Sequence, residues 1–366
     1  MSLGVSWARE AALRFAEAGH EVHAIDFADE PSGNYLRGRS DVHDAPIARL
    51  RNTLSGVHII PGRDISQWRY IKYAPRLRRI CRSVQPDILL SLWGGGFAAI
   101  SYLSGIRPYA VYVCGGDILR VSGFQKAFSR QALRRASVVF ANGKHFSAKT
   151  REFVPEARIV PAYLGVDTDR FRPGNPKPLP VTIVCTRGFS KVYNNRYIIE
   201  ALAVMPEPVP DFRVVFTSAG DELAETRAFA DRLLPPAMRR RIEFLGGVTD
   251  EELLSNLQNA HLYTSVSRYD GTSISLLEAM SCGLYPILSD IPANREWVEP
   301  SQSNGTLIPL DQPKEYAKAL RRSIEGAPHQ HAAMFNRGLI LDRADGRKTM
   351  ADVLSTLEHA LRHSRN

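Results

Sequence analysis

"SRYDGTSISLLEAMSCG", Ser267 to Gly283, is a polar loop that turns into an apolar run, and one carboxylate, Glu278, lies inside that run. Asp270 lies eight positions earlier, just before Gly271. Ser273 is placed as an N-cap, the helix is expected from about Ile274, and Gly283 stops it. Ile274, Leu277 and Met280 define its core-facing stripe. Free backbone N–H groups at such a helix start, reached through Gly271, form an anion site suited to a diphosphate. Asp270 would lie beside that anion, while Glu278 lies more than a turn further on, at about 1.5 Å per residue. Two acids so spaced can hold hydroxyls at opposite ends of an extended ligand. A nucleotide-sugar has that form, with ribose, diphosphate and hexose in line. The plain alternative is a turn acid followed by a solvated helix acid.

Around this stretch, short apolar runs alternate with amphipathic helical patterns. "EVHAIDF", "VHII", "DILLSLW", "AVYVCGG", "SVVFAN" and "ARIVPAY" are expected strands in the first half; "VTIVCT", "FRVVFTSAG", "IEFLGG", "AHLYTS" and "LYPILSD" are expected in the second. "WAREAALRFAEAG", "DELAETRAFADRLL" and "DEELLSNLQNA" are expected helices. Buried strands alternating with helices predict an α/β fold with parallel sheets covered on both faces. "RPGNPKPLP" (172–180) is the expected linker. The expected organisation is therefore a domain over 1–172, a second over 173–345, and a final helix over 346–366 packing back towards the hinge. A doubly wound domain has its first strand at the centre of the sheet. "MSLGVS" is too short and polar for that strand and its loop. The first strand is thus expected to be missing, through a truncated chain, a start assigned too late, or a divergent first domain.

The 366 residues are 44% hydrophobic and 23% charged, which suits globular domains with full cores. The run "ILLSLWGGGFAAISYL" is too short and glycine-rich to cross a bilayer, and nothing resembles a signal peptide. Four dispersed cysteines predict reduced thiols in a cytoplasmic protein. The net charge of +9 is uneven: residues 1–172 carry 25 Lys and Arg against 15 Asp and Glu, whereas residues 173–366 carry 22 against 23. The basic half suits an anionic partner or is a solvated face. In "WRYIKYAPRLRRICRSV", Arg69, Lys72, Arg76 and Arg79 fall on one helical face, opposite Tyr73, Leu77, Ile80 and Val84. That helix either lies on an anionic membrane, on its inner cytoplasmic side, or packs on the sheet with solvated arginines.

"SRYDGTSISLLEAMSCGLYPILSDIPANREWV" resembles the donor-binding segment of family 4 glycosyltransferases, E-x7-E followed by G-x-P-V-I-x-S-D-x-P-x-x-x-E, with Asp270 in the place of the first glutamate and Glu296 at the end. "RRRIEFLGGVTDEELLSNLQNAHLYTSVS", the stretch ending "GVDTDRFRPG", and "AEAGHEVHAIDF" continue the likeness in order, more specifically in the second half than in the first. The resemblance implies the GT-B fold: two Rossmann-like domains facing across a cleft, acceptor domain first, donor domain second, and a C-terminal helix crossing back. It implies a retaining transfer from a UDP-, GDP- or ADP-linked sugar to a lipid-linked or polysaccharide acceptor in cell-envelope glycan synthesis. It implies no cofactor and no essential metal.

The same resemblance implies roles for particular residues. Glu278 would hold the donor ribose, and Asp270 the transferred sugar, together with backbone N–H groups of Gly271, Thr272, Ser273 and Ile274. Arg187, in "VCTRGFSKVYNN", would neutralise the departing diphosphate. Lys191 is the candidate second cation, although the family lysine falls where this chain has Val192. Gly220 matches a glycine that lets the nucleotide approach the backbone. Asp117, in "VYVCGGDIL", matches an H-G-x-D segment contacting sugar or acceptor, with Cys114 in place of the histidine; a turn acid is the alternative. Asp167 to Asp169 ("DTD") imitates a metal-binding D-x-D but reads as a turn.

Three rival readings stand beside this one. "GGGFAA" (Gly94 to Ala99) formally fits a dinucleotide fingerprint with Asp117 as its ribose acid, hence an NAD(P)-dependent oxidoreductase. A nucleic-acid-binding protein would use the basic half, although no nucleic-acid partner is expected. A sugar-nucleotide epimerase of the same fold has no positive support.

Overall fold

The computed structural model describes residues 6–27, 50–60, 72–119, 123–175, 179–327 and 329–365. They divide into two compact units, one holding the N-terminal part up to Gly165 together with Gly346–Asn366, the other spanning Val166–Asp345.

In the first unit, helix α1 (Ser6–Glu17) leads to strand β1 (His23–Phe27), which pairs in parallel with β2 (Gly56–Ile60). Helix α2 (Ala74–Val84) then precedes β3 (Leu89–Leu92), α3 (Gly96–Ser104), β4 (Tyr109–Val113), α4 (Gly123–Arg134), β5 (Val138–Ala141), α5 (Lys144–Phe153) and β6 (Ile159–Pro161). Strands β3 to β6 form a separate four-stranded parallel sheet in chain order. Its central strands are buried along their whole length, as expected of β-branched and aromatic runs covered on both faces. All six strands expected of this half are present. The stretch "MSLGV", on which the missing-strand expectation rests, lies outside the described residues.

The second unit is one six-stranded parallel sheet in the order β12-β11-β10-β7-β8-β9. Its strands are β7 (Val181–Cys185), β8 (Phe212–Phe216), β9 (Ile242–Phe244), β10 (Leu262–Ser265), β11 (Tyr285–Ser289) and β12 (Thr306–Ile308). The first, β7, is central and wholly buried. Helices α6 (Arg196–Ala203), α7 (Leu223–Leu233), α8 (Asp250–Asn259), α9 (Ile274–Ser281), α10 (Pro313–Glu325) and α11 (Gln330–Arg343) cover it. The start of α8 is set by a capping box: Thr249 Oγ1 accepts from Glu252 N at 3.0 Å, and Glu252 Oε2 accepts from Thr249 N at 2.8 Å. β12 was not expected, because "TLI" is too short to stand out from its polar flanks.

One boundary differs from the sequence reading. Val166–Arg172 folds with the second unit, since Val166 N donates to Ala344 O at 2.9 Å and Phe171 O accepts from Ser281 Oγ at 2.5 Å. The join between the units therefore lies at Gly165–Val166, and the expected linker, 172–180, falls within the second unit. The last helix, α12 (Gly346–Arg365), packs along α1 within the first unit.

Of the basic amphipathic stretch, Arg69 lies outside the described residues. Lys72, Arg76 and Arg79 are exposed, while Leu77 and Cys81 of α2 are buried. Arg78, not assigned to either face from sequence, is also exposed and donates to Ser104 O. Among the described residues no helix is long and apolar enough to cross a membrane.

Candidate functional site

The sheet order of the second unit places a site. From β7 the chain winds to one side through β8 and β9, then returns to add β10 on the other side. Loops leaving the carboxyl ends of β7 and β10 diverge at that switch point, which is where open α/β sheets hold ligands. Arg187 follows β7 by two residues; Asp270 and Ser273 lie in the loop between β10 and α9.

These residues meet. Arg187 Nη2 donates to Asp270 Oδ2 at 2.6 Å, and Nη1 donates to Ser273 Oγ at 2.7 Å. Ser273 is the N-cap of α9 and also accepts from Leu276 N at 3.3 Å. One hydroxyl thus ends the helix and orients the guanidinium. The Arg187 side chain lies over the Tyr193 ring, 4.1 Å from its centre. Asn195 Nδ2 donates to the carbonyls of Arg187 and Gly188, at 3.2 and 3.1 Å. Arg268 N donates to Val192 O at 2.9 Å, tying the two loops together. Arg187 is 8% exposed, and its Nε has no hydrogen-bond partner among the described residues. A buried N–H left in this way marks where an acceptor would be held.

Burial sets the electrostatics. It is the largest influence on Arg187 and opposes its charge, but the Asp270 carboxylate together with Tyr193, Tyr263 and Cys185 outweighs it and raises the guanidinium's pKa. Burial raises Asp270, opposed by Arg187 and by a hydrogen bond from the Gly271 amide. Glu278, 8% exposed on α9, is pushed up to about 8, first by burial and then by Asp250; Arg170 and Arg187 work the other way. Asp250 and Arg170 are themselves an ion pair at 3.6 Å. Among the described residues no side chain hydrogen-bonds to the Glu278 carboxylate, which is therefore a buried acid without a local reason to be there.

The remaining expected site residues fall as follows. Thr272 is buried and Ile274 half-buried, and the Gly271 amide is turned to Asp270 rather than left open. Lys191 is exposed on the loop that carries Arg187. Gly220 follows β8, but a Cβ there would come within 2.3 Å of Phe189 O and 2.5 Å of Phe189 N. A close approach that requires glycine here is to the neighbouring loop's backbone. Gly220→Ala is expected to cost about 2–3 kcal/mol of stability, read as a lower Cm in urea unfolding at unchanged slope.

Asp117 belongs to the first unit, and its carboxylate is fully occupied. It accepts from Gly94 N at 2.6 Å, Gly115 N at 2.7 Å and Cys114 N at 3.1 Å. This corrects the oxidoreductase reading, because a ribose-binding acid needs free acceptor capacity. It also makes Asp117 a clamp on two loops instead of a directly catalytic group. Gly94 is needed for that clamp, since a Cβ there would lie 3.1 Å from Asp117 Oδ2 and 2.5 Å from Val113 Cγ1. The "DTD" acid Asp167 accepts from the amides of Asp169 and Arg170, both at 3.2 Å, and so forms a turn.

Sequence reasoning missed Tyr193, Asn195, and the Arg170–Asp250 pair beside Glu278. Tyr193 and Asn195 carried a faint signal, as an aromatic and an amide within eight residues of Arg187. The pair carried none.

Comparison with known proteins gives two consecutive family matches: "Glycosyltransferase Family 4" over residues 5–170 and "Glycosyl transferases group 1" over residues 166–337. Among curated proteins, a GDP-mannose:cellobiosyl-diphosphopolyprenol alpha-mannosyltransferase of Xanthomonas oryzae pv. oryzae is 29% identical over 199 residues, 51% of this chain and 50% of that protein. The D-rhamnosyltransferase WbpZ of Pseudomonas aeruginosa is 26% identical over 242 residues, 61% of this chain and 60% of that protein. The chain thus spans about half to three-fifths of these relatives. Among solved structures, sucrose-phosphate synthase from Thermosynechococcus elongatus superposes with a TM-score of 0.79 at 15% identity, covering 98% of this chain and 93% of the other. Anabaena HepE in complex with UDP-glucose superposes at 0.77 and 16% identity, covering 98% of each chain. At such identities the likeness concerns the fold.

Proposed function

Since the chain belongs to glycosyltransferase family 4, with the GT-B fold, we propose that it moves a sugar from a nucleotide-sugar donor to a lipid-linked or polysaccharide acceptor. The reading includes retention of anomeric configuration, a role in cell-envelope glycan synthesis, and a cytoplasmic protein at the inner membrane face. The donor is a co-substrate, and no essential metal or cofactor takes part. The names of the two curated relatives, a mannosyltransferase acting on a diphosphopolyprenol and a rhamnosyltransferase, support the acceptor class and the reaction type.

The observation that carries the reading is the Arg187–Asp270–Ser273 cluster at the tip of α9, with buried Glu278 further along the same helix. The roles follow from chemistry. The tip of α9 and Arg187 bind the diphosphate, with the unpaired Nε as a ready donor. As the glycosidic bond breaks, negative charge grows on the leaving phosphate, and a guanidinium already fixed by Asp270, Ser273 and Tyr193 stabilises it without reorganising. Glu278 accepts from the ribose hydroxyls, which gives its buried carboxyl the partners it lacks. Asp270 and the amides around Thr272 face the transferred sugar, and Lys191 adds positive charge at the loop. The leaving phosphate draws the proton from the acceptor hydroxyl. Asp117 acts indirectly, by holding the Gly94 and Gly115 loops. Lys72, Arg76 and Arg79, with Arg69, supply contact with anionic lipid at about 1 kcal/mol each.

Incubation with radiolabelled UDP-, GDP- and ADP-sugars and a polyprenyl-diphosphate-linked saccharide tests this reading. Label is expected to pass to the lipid phase from donors of one base. Failure of every donor, with the protein folded and an acceptor set spanning lipid-linked and free glycans, would overturn it.

A further inference from the structure

His23 and His58 face each other on one side of the β1–β2 pair. His23 Nδ1 and His58 Nε2 are 3.1 Å apart, and both residues are half-buried. The register explains the meeting. His23 pairs with Gly56 and Ile25 with His58, so all four positions share a face and His58 lies diagonally across from His23. Gly56, directly beside His23, leaves the room for this. A Cβ there would lie 2.5 Å from His23 Nδ1 and 3.1 Å from His58 Nε2. One point above the glycine is thus flanked by both nitrogens. At the other edge of the His23 ring, Nε2 is 3.1 Å from Glu21 Oε1. That carboxylate holds a proton on Nε2 and leaves Nδ1 as the lone-pair atom. Burial, and then the neighbouring His23, lower the pKa of His58, which keeps its imidazole neutral and able to coordinate.

We propose that His23 and His58 form a zinc site over Gly56, with Glu21 as the carboxylate that orients His23. Two imidazole nitrogens, each about 2.0–2.1 Å from one tetrahedral zinc, stand about 3.3 Å apart. The observed pair reaches that spacing by a slight turn of either ring. On binding, the proton that His58 Nε2 shares with His23 passes to His58 Nδ1, the other neutral tautomer, and the charge of the pair is unchanged. Among the described residues no third histidine, cysteine, aspartate or glutamate joins the two. Water completes the coordination, so binding is exchangeable and in the micromolar range, unlike a closed structural centre. Imidazole donors select zinc over magnesium, which takes oxygen ligands. The ion fastens β2 to β1, which together form a sheet of only two strands among the described residues. Both histidines belong to the first unit and the donor cluster to the second, so the inference is independent of the proposed reaction.

Calorimetric and thermal titration of the untagged, metal-free full chain with zinc chloride at neutral pH tests it. One equivalent is expected to bind in the micromolar range and, at about a hundredfold excess over its Kd, to raise Tm by about 5 °C. Magnesium chloride is expected to do neither. His58→Gln is expected to abolish the zinc-dependent rise. Glu21 is exposed, so Glu21→Gln is expected to leave the metal-free Tm unchanged and to weaken zinc about tenfold, through the lost orientation of His23. A pair of rings that only hydrogen-bond to each other would give no dependence on zinc in either variant. Zinc that leaves the Tm of the wild type unchanged, an equal rise from magnesium, or full zinc affinity retained in both variants would overturn the proposal.

Discussion

Arg187→Ala is expected to lower kcat for sugar transfer by about 10³-fold and to destabilise the protein by about 3–5 kcal/mol. The first effect follows from the role proposed for the guanidinium, which meets charge that develops only as the bond to the leaving phosphate lengthens. The second follows from what lies beside it. Asp270 is paired with Arg187 at 2.6 Å in a buried setting, so removing the cation leaves a carboxylate without its partner. The ion pair therefore ties the stability of the alanine variant to its activity. Arg187→Ala combined with Asp270→Asn separates the effects. The second substitution removes the stranded charge, so much of the stability returns while activity does not. Urea unfolding and steady-state kinetics on the same preparations check both. Stability restored together with turnover would remove Arg187 from the reaction.

Glu278→Gln is expected to do the opposite for stability. The Glu278 carboxyl is pushed up to about 8. A carboxyl that holds its proton more tightly folded than unfolded stabilises the native state most at low pH. That contribution is lost as pH rises from the ordinary carboxylate range near 4.3 through about 8. A neutral amide does not suffer this loss. The unliganded variant should therefore match wild type near pH 4 and exceed it increasingly up to pH 8, by about 4 kcal/mol at most. Above pH 8, where the Glu278 carboxyl is ionised, nucleotide binding should weaken by about 10- to 100-fold, because hydrogen bonds to a charged acceptor are replaced by neutral ones. Stability curves at several pH values test the sign. A variant less stable than wild type at pH 8 would mean that Glu278 is satisfied in the unliganded fold. A stabilising substitution that impairs binding is the pattern of a site shaped for a ligand.

The elements of this fold were largely legible in the sequence, and their arrangement was not. "VTIVC" and "FRVVF" announce buried parallel strands, because β-branched residues covered on both faces leave no polar alternation. Ser273 and Gly283 mark the ends of α9 for local reasons of capping and handedness. Arg187 and Asp270, by contrast, are 83 positions apart. They meet only because β10 is laid on the far side of β7, and no local pattern encodes strand order. Asp117 shows the converse limit. An acid after two glycines reads equally as a ligand contact or a loop clamp, and only the three amides that converge on it decide between them. Gly220 is similar, a glycine whose requirement is plain and whose neighbour is not. The Val166–Arg172 boundary was obscured because prolines mark the linker, whereas the join of the two units lies upstream, where Val166 bonds Ala344.

The most direct test is calorimetric titration of the full chain with UDP, GDP and ADP, alongside Arg187→Ala/Asp270→Asn as a control that keeps the fold. One nucleoside diphosphate is expected to bind wild type in the micromolar range and the double variant about 100-fold more weakly, in line with the loss of a charge-assisted contact of about 3 kcal/mol. Binding of none of the three, or binding of equal strength to the double variant, would contradict a diphosphate site at the tip of α9.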